Sequence, residues 1–167
     1  MLHLLFSIKE DLKQSLEAIH INHGLHDKSD DWERFCRKKC GSYNIPFRAI
    51  SIKENCPKNV SVEGWARDKR YSLIAKEMKN NDVLLTAHHM DDQIETFFLQ
   101  VFRGAGPRGL ASMPVIKNIS NGYHARPFLN IQRTELEKYA NINDILWQDD
   151  DTNSDIRYER NYLRHKV

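Results

Sequence analysis

The chain lacks the features that would set it apart from ordinary globular proteins. Its 167 residues include only three cysteines, an odd number that argues against the disulfide framework of a small secreted protein. The formal net charge is only +2, so contact with a nucleic acid would need a local cluster of basic residues. No apolar run approaches membrane-spanning length, and charged residues soon interrupt the apolar start, which predicts no signal peptide. We therefore expect a reduced, cytoplasmic protein without a membrane anchor.

The sequence does contain an alternation of helical and strand patterns. Helices are predicted at about 2–15, 30–43, 61–79, 92–102, 134–140 and 158–165, and strands at 18–21, 46–52 and 83–87, with a hairpin in 113–128 around Asn121-Gly122. This alternation predicts an α/β fold, a parallel sheet with helices on both faces. We expect residues 1–128 to form the α/β domain and residues 129–167 a helical C-terminal part. Ligands of such sheets bind at the carboxyl ends of the strands.

The segment TAHHMDDQIET, residues 86–96, crowds ionisable side chains where a predicted strand meets a helix. Asp91 is interpreted as the N-cap of that helix. Asp92 points away from the apolar stripe of the helix, so it is either a solvated acid favoured by the helix dipole or a functional carboxylate. His88 is either a hydrogen-bonded histidine beside the core or part of a site. Zinc is disfavoured, because adjacent histidines point to opposite sides of a strand and further ligands at recognisable spacing are lacking.

Three segments that contain arginine are candidates for binding an anion. Arg70 falls on the apolar stripe of the 61–79 helix, so it needs a carboxylate, phosphate or carbonyl partner unless it extends past the core edge. The loop RGAGPRGL, residues 103–110, fits neither a dinucleotide fingerprint nor a Walker A loop, but offers backbone N–H groups and two arginines. Three arginines near the end share one helical face, which is either solvated or follows a phosphate backbone: Arg157, Arg160 and Arg164.

Taken in order, these segments resemble the N-terminal catalytic domain of the tRNA(Ile)-lysidine synthetase family, within the N-type ATP pyrophosphatase group. The resemblance covers nearly the whole chain, and it is carried by HINHGL at 20–25, EGWAR at 63–67 with Arg70, TAHH, DDQ and ET within 86–96, the 103–110 loop, Arg126-Pro127, and residues 150–164. It implies an adenine nucleotide alpha hydrolase-like fold. It also implies a reaction in which ATP adenylates C2 of the wobble cytidine of an isoleucine tRNA with a CAU anticodon. The ε-amine of free L-lysine then displaces AMP.

The resemblance also implies roles for individual residues. Asp92 would be the catalytic carboxylate, either binding Mg²⁺ or accepting a proton from the lysine ammonium, with His88 and Arg70 as the other catalytic residues. Asn22 and His23 would lie at the ATP site. Lysine and tRNA would be bound by Arg103, Gly104, Arg108, Gly109, Arg157, Arg160 and Arg164. The implied cofactors are ATP and Mg²⁺, and a homodimer is one expected assembly.

One departure from the family pattern limits these expectations. The SGGxDS nucleotide loop and the strand before it have no counterpart in the sequence, and the family's linker and tRNA-binding domains would follow Val167. We therefore expect a sheet without its first strand, and neither tight ATP binding nor lysidine formation by this chain alone. Two alternatives stay open: another ATP-pyrophosphatase-type enzyme, such as a tRNA thiolase or an amide-forming ligase, and a decayed, non-catalytic domain. The two-thiolation relatives use paired CxxC cysteines, which Cys36, Cys40 and Cys56 do not supply.

Overall fold

The computed structural model describes residues 1–150 and 159–166 of the chain. Two compact units are present, Met1–Asn80 and Asn81–Val167. The division near residue 128 that we inferred from the sequence stays a prediction. Within the described residues, no helix is both long enough and apolar enough to cross a membrane.

The first unit is built around a pair of parallel strands. Its elements are α1 (Leu2–Ser7), β1 (Ala18–Asn22), α2 (Ser29–Ser42), β2 (Phe47–Ser51) and α3 (Val62–Glu77). β1 and β2 pair in parallel along their whole length, and α2 packs against both. α1 is shorter than predicted, because the charged residues that follow Ile8 form turns and offer no apolar face to bury.

Helix α3 begins where the sequence predicts. Ser61 is its N-cap, and the Ser61 hydroxyl accepts a hydrogen bond from the Gly64 backbone N–H at 3.3 Å. The helix buries Trp65, Ala66 and Ile74. These three residues belong to the predicted apolar stripe, so the helical period of that segment is confirmed.

The second unit contains a three-stranded mixed sheet. Its elements are β3 (Val83–Leu85), α4 (Met90–Phe102), α5 (Pro107–Leu110), β4 (Ile116–Ile119), β5 (Gly122–Ala125), α6 (Arg133–Ile142) and α7 (Glu159–Lys166). The strand order is β3-β5-β4, with β3 and β5 parallel and β4 and β5 antiparallel. β4 and β5 form the predicted hairpin, whereas the short helix α5 was not predicted from the sequence.

The predicted α/β class is therefore confirmed, since parallel strand pairs alternate with helices along the chain. The carboxyl ends of β1 and β3 lead into Asn22–Gly24 and His88–Asp92, the two segments that the sequence singles out. In parallel α/β structures the strand ends are the usual positions of ligand-binding residues.

Candidate functional site

The N-terminus of α4 is organised by two adjacent aspartates with different partners. His89 is the N-cap, and its backbone N–H donates to Asp92 Oδ2 at 3.0 Å, as the third residue of a capping box does. Asp91 accepts from the backbone N–H of Arg133, at the start of α6, also at 3.0 Å. That hydrogen bond holds the pKa of Asp91 below its ordinary value. The prediction that Asp91 caps α4 is therefore wrong, because the helix begins earlier than expected and brings Asp92 into the capping position.

The buried side of α4 is polar. Asp92 and Glu95 are only 9% and 7% exposed, whereas the predicted core stripe is exposed: Ile94, Phe97, Phe98, Val101 and Phe102. The expectation that this stripe faces the core is wrong. Of the two interpretations of Asp92, burial contradicts the solvated acid and leaves the functional carboxylate open. Helix α7 packs against the side of α4 that carries the two acids, and its arginines supply the charges that make their burial tolerable.

Glu95 and Arg164 form the central ion pair between α4 and α7. The guanidinium engages both carboxylate oxygens, with Nε facing Oε1 and Nη2 3.1 Å from Oε2. The same Nη2 lies 3.5 Å from Asp92 Oδ1. The hydrogen bonds to Glu95 raise the pKa of the Arg164 guanidinium above its ordinary value. Arg164, expected from the resemblance to bind lysine or tRNA, is thus committed to a contact within the domain.

The other arginines of the predicted face have different surroundings. Arg160 Nη2 donates to Thr96 Oγ1 at 3.4 Å, on the same side of α4. Arg157 lies outside the described residues. At the C-terminal end of α4, Arg103 pairs with Glu159 in an exposed ion pair. Arg160 and Arg164, the two described members of the face that was expected to be solvated or to follow a phosphate backbone, therefore contact α4.

The glycine-rich segment after α4 is folded back on itself. The backbone N–H groups of Gly104, Ala105, Gly109 and Leu110 donate to carbonyl oxygens of residues 100–106 at 2.9–3.1 Å. The expectation of free N–H groups for a phosphate is wrong for these four positions. Gly109 is required by packing, since a Cβ there would lie 2.7 Å from Ala105 Cβ. Arg108, on α5, is exposed.

A buried chain of polar side chains leads to His88. Thr86 Oγ1 lies 2.7 Å from His88 Nδ1 and 2.8 Å from His124 Nε2. His124 Nδ1 in turn lies 3.2 Å from Arg126 Nη2, and Arg126 Nη1 donates to the Pro114 carbonyl at 2.8 Å. His124 is fully buried and Arg126 is 2% exposed.

Sequence reasoning assigned no role to His124. A signal was available, because histidine and arginine two residues apart lie on the same face of a predicted strand. Two such polar residues on one face of a buried strand require partners within the protein. The hydrogen bonds through Thr86 thus connect His88 to His124 on β5.

The residues expected at the ATP site and Arg70 lie within the first unit. Arg70 Nε and Nη2 lie 3.2 and 3.1 Å from His23 Nε2. Burial, and next the charge of Arg70, lower the pKa of His23 to about 4. Arg70 is exposed, so its predicted position on the buried stripe of α3 is wrong. Its long side chain leaves the helix towards the end of β1 instead, where it donates to a neutral imidazole.

Asn22 ties the end of β1 to α2. Its Nδ2 donates to Asp30 at 2.8 Å and to Glu33 at 3.3 Å, and its Oδ1 accepts from the Gly24 N–H at 3.0 Å. Gly24 has a φ of +62°, a left-handed conformation that favours glycine. Asn22 therefore stabilises the turn after β1 through both ends of its amide.

Within residues 1–150 and 159–166, no three His, Cys, Asp or Glu side chains are grouped so as to hold a metal ion. All three cysteines are free thiols. Burial raises the pKa of Cys36 and of Cys40, and a metal is bound by the thiolate form. A cysteine-ligated cluster therefore finds no support in these thiols.

Comparison with known proteins agrees with the α/β fold described above. The model of a PP-loop domain family matches residues 1–167. The tRNA(Ile)-lysidine synthases of Coxiella burnetii and Legionella pneumophila (strain Paris) are 41% and 44% identical over all of this chain, which spans 37% and 38% of their lengths. The U34-tRNA thiolase NcsA of Methanococcus maripaludis, a structure with a [4Fe-4S] cluster, superposes with a TM-score of 0.71 at 17% identity, over 88% of this chain and 53% of that one. That likeness confirms the predicted fold. Since the PP-loop model covers the whole sequence, the chain belongs to the PP-loop domain family.

Proposed function

We propose that this chain supplies the catalytic residues of an ATP-dependent ligase that attaches free lysine to C2 of the wobble cytidine in an isoleucine tRNA with a CAU anticodon. The observation that carries the proposal is Asp92, a nearly buried carboxylate at the junction of β3 and α4. The resemblance to lysidine synthases at 41–44% identity points to the substrates. Such an enzyme would act in the cytoplasm, where it meets tRNA.

The proposed reaction has two steps. The cytidine O2 attacks the α-phosphorus of ATP, and pyrophosphate leaves. The ε-amine of lysine then attacks C2, and AMP leaves with the oxygen. The ammonium must lose a proton before it can attack, and a carboxylate within reach is suited to accept it. The His89 N–H fixes one oxygen of Asp92 and Arg164 faces the other, so the carboxylate is held in one orientation.

We include Mg²⁺ in the proposal because the proposed reaction uses ATP. Magnesium in nucleotide enzymes is commonly held by one or two carboxylates together with phosphate oxygens, so a single aspartate is compatible with it. Asp92 is the carboxylate that would contribute. When bound, the ion would neutralise charge on the phosphates.

The other implied binding residues fall into two sets. Arg108 and Arg160 stay proposed contacts for lysine or for tRNA phosphates, since a guanidinium suits both a carboxylate and a phosphate. Arg103 and Arg164 are proposed to act indirectly, because Glu159 and Glu95 already engage them. Arg70 and His23 are proposed to meet the phosphates of ATP at the end of β1, where the guanidinium donates to a neutral imidazole.

A homodimer is the assembly that we propose. The exposed apolar side of α4 supports it, because contiguous exposed apolar surface often marks an interface and dimers commonly use one self-complementary patch. Replacing Phe98 by Glu should then convert a dimer to a monomer in sedimentation velocity. A monomer for the unaltered chain would contradict the assembly and leave the catalytic proposal untouched.

A domain exchange tests the proposed function. The region of the Coxiella burnetii enzyme that matches this chain is replaced by the chain, and the chimera is given ATP, Mg²⁺, radiolabelled lysine and the CAU isoleucine tRNA. We expect label in the tRNA, and loss of labelling in the chimera with Asp92→Asn. A transcript with a UAU anticodon is the matched substrate control. A chimera that is folded and binds tRNA yet transfers no lysine would contradict the proposal.

The alternative of a tRNA thiolase is less well supported. The structural neighbour is a thiolase, but at 17% identity the likeness establishes the fold and not the chemistry. A [4Fe-4S] cluster needs several cysteine thiolates, and here burial favours the neutral thiol form of Cys36 and Cys40. Sulfur incorporation by the chimera, without lysine incorporation, would reverse this preference.

A further inference from the structure

The hydrogen bonds that link Arg126, through His124 and Thr86, to His88 have a donor-to-acceptor direction. The buried guanidinium of Arg126 sets that direction. A guanidinium can only donate hydrogen bonds, and Arg126 Nη2 lies 3.2 Å from His124 Nδ1. That ring nitrogen must therefore accept, and it carries no proton. The single proton of the neutral His124 ring is then on Nε2, which donates to Thr86 Oγ1 at 2.8 Å.

The Thr86 hydroxyl links the His124 ring to the His88 ring by hydrogen bonds. It accepts from His124 with one lone pair, so it can either donate its proton to His88 Nδ1, at 2.7 Å, or accept a second hydrogen bond from a protonated Nδ1. Only the first arrangement gives the Thr86 proton an acceptor among these side chains, which favours His88 Nδ1 as the acceptor and places the proton of the neutral His88 ring on Nε2. With Nδ1 engaged by Thr86, a proton that His88 exchanges with a substrate passes through Nε2.

The fold explains why these residues meet. β3 and β5 are parallel neighbours in which Leu84 pairs with His124. Successive residues of an extended chain alternate in direction, so Thr86 follows Leu84 on the same side and Arg126 follows His124. The Thr86 N–H still donates to the Ala125 carbonyl at 3.2 Å, which extends the pairing past the end of β3.

We infer that Thr86, His124 and Arg126 are positioning residues that hold His88 in its Nε2–H tautomer, so that His88 presents a hydrogen-bond donor and not a base. The catalytic meaning of this inference rests on the proposed function. A donor at this position suits the negative charge that develops on the phosphate oxygens during adenylation, or on the departing AMP. Proton abstraction from the lysine ammonium is then left to Asp92.

Nitrogen NMR of the chain tests the tautomer directly. Long-range ¹H–¹⁵N correlations distinguish a protonated from an unprotonated ring nitrogen, and the chain has eight histidines. Spectra of His88→Gln and His124→Gln assign the two rings by the signals that disappear. We expect both rings to show a protonated Nε2 and an unprotonated Nδ1 at neutral pH. A protonated Nδ1 in either ring would overturn the inference.

A pair of variants tests whether Thr86 transmits the direction. Thr86→Val removes the hydroxyl at similar volume, so we expect the His88 ring to become a mixture of both tautomers while His124 keeps its own. Thr86→Ser restores the hydroxyl and should restore the single tautomer. An unchanged His88 spectrum in Thr86→Val would overturn the role of Thr86.

In the chimera, Thr86→Val should lower the rate of lysine transfer through kcat, by up to about 100-fold, which is the loss that a misplaced group can cause, and Thr86→Ser should recover it. A recovered tautomer without a recovered rate would contradict the catalytic meaning of the inference. If the unaltered chimera transfers no lysine although the NMR result is as expected, the proposed function fails and the assignment of the His88 ring stands.

Discussion

Removing Arg164 should loosen helix α7 far more than removing any exposed arginine. Arg164→Ala leaves Glu95, whose side chain is 9% exposed, as a buried carboxylate without its bidentate partner. Breaking a buried pair in this way costs about 3–5 kcal/mol. Because the Arg164 side chain is itself 29% exposed, water replaces part of the lost interaction, and we expect about 2–4 kcal/mol.

Hydrogen–deuterium exchange measures this local cost. If α7 opens as a unit, a loss of about 2–4 kcal/mol should raise the exchange rates of its amides by about 30- to 1,000-fold. Protonation of the orphaned carboxyl relieves the penalty, so the effect should shrink by up to about 1.4 kcal/mol per unit of decreasing pH.

Arg103→Ala is the matched control for this experiment. It removes an ion pair to Glu159 of α7 whose side chains are 58% and 64% exposed. Exposed pairs contribute about 0–1 kcal/mol, so exchange in the control should change by no more than about fivefold. Equal acceleration in the two variants would refute the claim that the buried pair holds α7 in place.

Three further predictions follow from single contacts. Arg70→Ala should raise the pKa of His23 from about 4 towards that of an ordinary histidine, which an NMR titration measures. In the unaltered chain, because the pKa of His23 is lowered, stability should fall as the pH drops below about 6.5 and level off below about 4. An unmoved pKa would contradict a contribution from the Arg70 charge. Asp91→Ala should cost about 1 kcal/mol by exposing the first N–H of α6, measured by urea unfolding, and Asp91→Asn should recover most of it. Gly109→Ala should cost about 1–3 kcal/mol by overpacking, whereas Gly106→Ala, which has open space, should not lower the melting temperature.

The alternation of helices and strands was predictable because it depends on local patterns. The boundaries of α3, including its Ser61 cap, and the β4–β5 hairpin follow from spacing and turn chemistry that act over a few residues. The α/β class was inferred from the same patterns, without reference to any contact between distant residues.

The orientation of α4 could not be read from its apolar period. Its stripe of aromatic and aliphatic residues indicates a core face, yet the structure buries Asp92 and Glu95. The cause lies on α7, about 70 positions along the chain, where Arg164 compensates the acids. A charge that becomes tolerable only through such a distant partner leaves no signal in a local window.

The capping error at α4 has a different physical origin. Asp91 suits the N-cap position and Asp92 the third position of a capping box, and a shift of the helix start by two residues decides which of them serves. The start of α6 takes Asp91, so a tertiary contact decides which aspartate serves α4. Likewise, His124 acquires its role only through the parallel pairing of β3 with β5.

The central claim, that a site built on Asp92 forms lysidine, is tested most directly by the mass of the product nucleoside. tRNA treated with the chimera, ATP, Mg²⁺ and lysine is digested to nucleosides and analysed by mass spectrometry. We expect a cytidine that has gained lysine with loss of water, located at the wobble position, and its absence after Asp92→Asn. An unmodified wobble cytidine from the folded, tRNA-binding chimera, or undiminished modification with Asp92→Asn, would contradict it.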